Sequence, residues 1–484
     1  MKFLLHAQVD QQSIGQRLGS ADYSYFFLLR AFAGVLAELG EVIELDDPAH
    51  ADAIHAQAQA MGERCLLLSF APPHKTPLGL NCPVVPVFAW EYPDIPGQIE
   101  ETCWKNDRRN DWRYVFARTG RAIALSSHTV EAVQRSMGAA YPIAAIPAPV
   151  RTLAPAAAPA RVPVPAQGAL LRVHASVADS RRMGLDVNSL IYFNDDDGTP
   201  HEPHDDQWLP ASAVAPDRSD DPADGHGDDL GAIMLAHEHL PVGCGWDLPP
   251  VMSILTRLHG VVYTSVLIPS AGRKNWEDLI SAFCWAFRDV ADATLVLKLG
   301  GDDLVRHHHK LLMLLSKMAP LKCRVIAING YLTDEEYAAL IGVTTYYVNT
   351  SLGEGLCLPL VEFLAAGVPA VAPDNTAMAD YITDELAFVV ASYPGIPTVW
   401  PHGDDEVNRT TYHQLDWASL VAAYRESHAA ACNDTARYQR MSTRAMEAMR
   451  EYGGPGVTRE RLRAFLCPEL PPLRKAARPA AMTP

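Results

Sequence analysis

Two stretches of this chain alternate short apolar runs with amphipathic helical stretches, and that alternation constrains the fold more than any other feature. In residues 1–150, strand-like runs stand at Phe3–Val9, Val42–Leu45, Cys65–Ser69, Val84–Ala89, Ala122–Ala124 and Ile143–Ile146. Phe26, Phe27, Leu29, Phe32, Val35, Leu36 and Leu39 recur at helical spacing, and Gly40 stands where a C-cap is expected. The pattern resumes at Val261, with strands expected at 261–268, Thr294–Leu299, Arg324–Ile328, Thr345–Asn349 and Ala370–Ala372. Asn275 with Asp278, and Thr333 with Glu336, have capping-box spacing at two helix starts between those strands. Strands that alternate with helices pair in parallel through crossovers, so each stretch predicts a doubly wound α/β domain.

At 484 residues the chain has room for both domains and more. Residues 151–165 are rich in Ala, Pro and Arg, the composition of an extended linker. From there to about 258 the pattern weakens. A strand Leu190–Phe193 followed by an Asp195-Asp196-Asp197-Gly198 turn, and an acidic stretch Pro216–Asp229, suggest an insertion with some β structure and a disordered loop. The expected division is therefore 1–150, a linker and partly disordered insertion 151–258, and a second domain 259–450. Residues 417–466 read as helix, and 468–484 as a disordered Pro/Ala-rich tail.

Charge and cysteine usage exclude several classes. A formal net charge of −17 argues against nucleic acid as a partner, because phosphate binding needs a basic surface. The opening Met1–Ala7 is too brief for a signal peptide before Gln8 and Asp10, and no apolar run reaches the ~18 residues of a spanning helix. Nine scattered Cys without CxxC pairs indicate reduced, buried thiols. A cytoplasmic protein is expected, with docking on the inner membrane face left open. His201, His204, Asp205, Asp206, His226, His237 and His239 lack regular ligand spacing, and His307-His308-His309 on one helix point about 100° apart. No metal and no cofactor are expected. P-loop, Gly-x-Ser-x-Gly and HExxH motifs are absent.

The densest chemical signal is Thr350-Ser351-Leu352-Gly353-Glu354-Gly355-Leu356-Cys357-Leu358-Pro359-Leu360-Val361-Glu362, with Gly367 beyond the helix that follows. Two glycines flanking a carboxylate leave backbone N–H groups open to a ligand, and a helix starting near Pro359 adds partial positive charge suited to a diphosphate. Glu362 lies about two turns along that helix, so the two carboxylates flank the anion site. Ser270-Ala271-Gly272-Arg273-Lys274-Asn275 similarly places cations before a helix start. Gly15 opens a loop after the first strand, at the edge that faces the cleft in such folds. Trp90-Glu91 ends another strand.

The 353–362 segment resembles the Glu-x7-Glu signature of retaining family-4 glycosyltransferases of the GT-B fold, two Rossmann-like domains facing a cleft. The resemblance covers 261–466 and, more loosely, 1–150 through Trp90-Glu91, Ser126-Ser127-His128-Thr129 and Ile146-Pro147-Ala148-Pro149-Val150. It implies transfer of a sugar from a nucleotide-diphosphate donor to an acceptor hydroxyl, on a glycan or a lipid carrier. Glu354 would contact the transferred hexose and Glu362 the ribose. Lys274 would neutralise the diphosphate, with Arg273 standing in for an arginine usually found about five residues earlier. Gly353, Gly355, Leu356, Cys357 and Leu358 would line the donor, Tyr331 and Leu332 would sandwich the base, and Glu91 would reach donor or acceptor where relatives place a histidine. Helices near 451–467 would cross back to the first domain. Polysaccharide or cell-envelope synthesis is the family's common setting, and removal of Glu354 is expected to cost activity and not the fold. The competing readings are a sugar-nucleotide epimerase or phosphorylase on the same fold, and a non-catalytic GT-B-like module that binds a glycan or partner. The sequence leaves oligomeric state open.

Overall fold

The apolar runs pair as two parallel sheets in the computed structural model, which describes residues 1–9, 23–97, 106–150, 161–185, 247–301, 303–399 and 409–467. The first sheet has the order β2-β1-β3-β4-β5-β6, all parallel. Its strands are β1 (Lys2–Ala7), β2 (Glu41–Glu44), β3 (Cys65–Phe70), β4 (Val84–Phe88), β5 (Ala122–Ala124) and β6 (Ile143–Ala145). Helices α1 (Tyr23–Leu36), α2 (Ala51–Ala60), α3 (Trp112–Thr119) and α4 (Ser127–Met137) make the crossovers. β3 is buried along its whole length, as expected of a central strand whose sequence, Cys-Leu-Leu-Leu-Ser-Phe, is nearly all apolar. Gly40 closes the end of α1 as expected of a C-cap, its amide donating to the Leu36 carbonyl at 3.0 Å. A Cβ there would lie 2.3 Å from the Met1 carbonyl oxygen, so the glycine is required by the close passage of the chain's first residue.

The second sheet has the order β14-β13-β12-β9-β10-β11-β7-β8. β9 (Val261–Leu267), β10 (Ala293–Leu299), β11 (Arg324–Asn329), β12 (Tyr346–Val348), β13 (Ala370–Ala372) and β14 (Ala387–Val389) run in parallel. β7 (Ala169–Asp179) and β8 (Val251–Leu258) are antiparallel additions on the β11 edge. This corrects the expected boundary at 259, because two strands of the segment read as an insertion belong to the second sheet. Arg324 holds them there. Its guanidinium forks onto Asp179 of β7 at 2.7 and 3.2 Å and donates to the Arg257 carbonyl of β8 at 2.7 Å. Part of the linker is docked too: Arg161 donates to the carbonyls of Ile341 and Thr344 at 2.7 and 2.8 Å.

Helices α5 (Trp276–Phe287), α6 (Leu304–Met318), α7 (Asp334–Val343) and α8 (Leu358–Ala365) complete the winding, followed by α9 (Trp417–Asn433), α10 (Thr435–Gly453) and α11 (Pro455–Leu466). The Thr333–Glu336 capping box forms as expected, with both reciprocal bonds made. The one expected at Asn275 does not. Asn275 is left-handed (φ 49°), caps no N–H with its side chain, and instead donates its amide to Asp278 at 2.9 Å. A hairpin of β15 (Ser392–Val399) and β16 (Arg409–Leu415) was not foreseen.

α11 packs on α1 of the first domain, where Arg459 pairs with Glu38 and Cys467 lies 3.1 Å from the Met1 sulfur. The Val150 amide donates to the Gly453 carbonyl at 2.8 Å where the chain crosses between domains. Among the described residues no helix is long and apolar enough to cross a membrane. Gly15, the 190–198 and 216–229 segments, the histidines from 201 to 239 and the tail from 468 lie outside the described residues.

Candidate active site

In a doubly wound sheet, the chain leaves two neighbouring strands in opposite directions at one place, and the departing loops open a crevice there. In the second sheet that place lies between β9 and β12, since β10 and β11 extend one way and β13 and β14 the other. The turn after β9 carries Arg273 and Lys274, and the loop after β12 carries Glu354. Topology therefore places these three groups together although about 80 residues separate them.

Glu354 is buried (3% exposed) and fully engaged. One carboxylate oxygen accepts from the Ser351 hydroxyl at 2.6 Å and from the Lys274 ammonium, the other from Arg273 Nη1 at 3.0 Å. Burial alone would push its pKa up. The two cations and the Ser351 bond more than offset this and hold it at about 2. Arg273 also donates to the Gly353 carbonyl at 3.0 Å, and its Nε lies 2.8 Å from Glu91. Burial opposes the arginine's charge, but Glu91 and Glu354 outweigh it and raise its pKa. Since Glu91 follows β4, this one guanidinium spans the cleft between domains.

The loop is fixed by its own backbone bonding. Leu352 N–H donates to the Arg273 carbonyl at 2.7 Å, and Glu354 N–H to the Thr376 hydroxyl at 2.9 Å. The two glycines meet protein directly. A Cβ on Gly355 would lie 2.7 Å from both Ala89 Cβ and Trp90 N, and one on Gly353 would lie 3.0 Å from the Glu91 carbonyl oxygen. Gly355→Ala should therefore push the domains apart and lower stability by roughly 1–3 kcal/mol, measurable by denaturant unfolding. Unchanged stability would show that the contact yields freely. Further contacts across the cleft are the Ser127 amide to Asp380 at 2.9 Å and the Tyr92 ring stacked 5.7 Å from that of Tyr412.

Cys357, left-handed at φ 62°, precedes α8 and accepts from Asn349 Nδ2 at 2.8 Å. Burial, then Glu354, pushes its thiol up to about 12, so it stays protonated. Leu356 is buried and Leu358 half-buried beside it. Glu362 lies about one turn into α8, not the two expected, because the helix begins only at Leu358, and it accepts from the Tyr337 hydroxyl at 3.0 Å. After β11, Leu332 is buried in the core and Tyr331 is 42% exposed.

Lys298 escaped sequence reasoning. It sits near the carboxyl end of β10, 9% exposed, and its ammonium lies 3.9 Å from where a Gly300 Cβ would stand, by the turn that follows β9. Burial pushes its pKa down to about 8. The available signal was a lone charge inside Leu295-Val296-Leu297-Lys298-Leu299, a run that would otherwise be wholly apolar. His128 stands in the first turn of α4, and burial is the chief cause that lowers its pKa.

No protein-family model matches the sequence, and no curated protein matches it. Solved structures do. A sucrose-phosphate synthase from Thermosynechococcus elongatus matches with a TM-score of 0.48 and 12% identity, over 96% of this chain and 98% of that one. An Anabaena protein, HepE, solved with UDP and glucose, gives 0.46 and 13% over 96% and 99%. A glycosyltransferase from Rickettsia africae gives 0.47 and 9% over 96% and 98%. At this distance a likeness assigns no activity. The topology described above, two Rossmann-like α/β domains facing one another with the last helix returned to the first, is that of the GT-B fold.

Proposed function

We propose that this chain is a glycosyltransferase that takes a sugar from a nucleotide diphosphate and transfers it, with retention, to an acceptor hydroxyl in polysaccharide or cell-envelope glycan synthesis. The observation that carries this reading is the cluster at the β9/β12 crevice. A buried carboxylate, Glu354, and two cations, Arg273 and Lys274, meet beside the start of α8 and against Glu91 of the other domain. Cations and a helix N-terminus neutralise a departing diphosphate without a metal, which is the main electrostatic demand of the reaction. Arg273 and Lys274 now rest on Glu354. On donor binding they turn toward the diphosphate, which frees the carboxylate for sugar hydroxyls. Lys298 supplies a further positive charge from β10. Glu362 holds the ribose, while Leu356, Cys357, Leu358, Tyr331 and Leu332 shape the donor pocket. The backbone contact at Gly355 means that the domains part to admit donor and close again for transfer.

The test is a thermal-shift panel of UDP, GDP, dTDP and ADP with their common sugar conjugates. A ligand at 100 times its Kd stabilises the fold by roughly 2.7 kcal/mol. One nucleotide class should stand clear and lose its effect in Glu362→Ala. A flat panel with well-folded protein would sink the assignment. One observation favours a second reading, a non-catalytic binding module: both site cations are already satisfied by protein carboxylates. Donor binding without transfer to any hydroxyl would select it.

A further inference from the structure

The amino-terminal edge of the first sheet, remote from the carboxyl ends that border the cleft, gathers metal-ligating side chains that the proposed reaction does not use. His55 is on the inward face of α2 with Ala51 and Ala58. Cys65 is the first residue of β3, and Cys82 sits in the turn leading to β4. They are 8%, 5% and 1% exposed, and one ligand atom from each lies within 4.8 Å of the others. His55 Nδ1 is buried with no hydrogen-bond partner, a state that burial of a polar atom disfavours unless something occupies the position. Cys82 is positioned in advance: its amide donates to Asp52 at 2.9 Å, as does the Asn81 side chain.

We propose that His55, Cys65 and Cys82 form a zinc site that ties α2 to β3 and to the turn before β4. Tetrahedral zinc holds thiolate sulfur at about 2.3 Å and imidazole nitrogen at about 2.0–2.1 Å, which sets ligand atoms roughly 3.5–3.8 Å apart. Small side-chain rotations close the difference. Two thiolates balance the dication, so the filled site is neutral and suited to burial. On binding, both thiols lose their protons to solvent, both S–H bonds being exchanged for Zn–S bonds. The fourth position opens on a surface pocket of about 470 Å³ lined by His55, Cys65, Gln59 and Glu63, which supplies water or the Glu63 carboxylate. A second group, Asp292, His428 and Cys432, is a weaker candidate: it is more exposed, and its histidine already lies 3.4 Å from Asp292.

The probe is Co²⁺, added to the reduced, metal-free full-length chain. The expected result is thiolate-to-cobalt charge-transfer absorption and strong visible d–d bands, saturating at about one equivalent, displaced by Zn²⁺, with release of about two protons. Cys65→Ser/Cys82→Ser should abolish the bands, and His428→Ala/Cys432→Ser should keep them. Should the first variant fail to fold, the unmodified chain still decides. Absence of the charge-transfer band overturns the proposal, as does its loss in the His428/Cys432 variant alone. A Cys65–Cys82 disulfide in chain isolated with its thiols blocked also overturns it.

Discussion

Glu354→Ala is expected to lose about 3–5 kcal/mol of stability together with all sugar transfer. Both effects have one cause. The carboxylate is buried and shared between Lys274 and Arg273, and removing one partner of a buried ion pair leaves uncompensated charge. Sequence alone treats Glu354 as a detachable ligand group, whereas the structure makes it part of the fold. The measurement is urea unfolding beside a transfer assay on the same protein, with Glu354→Gln as the variant that keeps volume. The wild type carries a second signature. A carboxyl whose pKa falls from 4.5 to about 2 on folding contributes stability above pH 4.5, and that contribution is lost as the pH drops from there toward 2. The loss should amount to about 3 kcal/mol and be missing in Glu354→Gln. Wild-type stability in Glu354→Ala would refute the buried pairing, and wild-type turnover would refute the proposed role.

Lys298→Met should act in opposite directions on stability and binding. The lysine pKa falls from 10.5 to about 8 on folding, so the native state binds its proton less well than the unfolded chain does. The resulting penalty is fully present below pH 8 and fades as the pH rises through 10.5. Methionine fills similar space without charge, so the ligand-free variant should be more stable by up to about 3 kcal/mol at neutral pH. Donor affinity should fall about 10- to 100-fold with loss of a charge-assisted contact. Unfolding curves and nucleotide titrations report the two arms. A variant that is less stable and binds donor unchanged would show that Lys298 is a structural residue with an unseen partner. Opposed signs are the result expected of a charge that has no carboxylate partner among the described residues and meets the proposed donor.

What was legible in the sequence was local. The alternation of strands and helices, the Thr333–Glu336 cap and the Gly353–Gly355 loop each declare themselves within a dozen residues, because periodicity, capping and turn chemistry act at short range. What was hidden depends on the order of strands. Nothing near Arg273 announces Glu91, and the two meet only because β4 of one sheet and β9 of the other end at the same crevice. Gly353 and Gly355 read as openings for a ligand; in the structure they admit the backbone that follows β4. Gly40 reads as a cap and is one, but its need to make way for Met1 is invisible from the local sequence. β7 and β8 were lost in the segment 151–258 because β7 joins the sheet through β11, far along the chain, β8 joins it only through β7, and both pairings are antiparallel.

The placement of β7 and β8 sets what the stretch between them is free to become. Ser176 pairs with Val251, so the chain departs from and rejoins one rim of the second sheet. The covalent path that joins the two halves of the molecule runs elsewhere, through the residues before β7 and those at the α10–α11 junction. Closing a longer excursion costs only in proportion to the logarithm of its length. Residues can thus be added at or removed from that rim at small entropic cost, without displacing the strand ends that set the spacing of Glu91, Arg273 and Glu354.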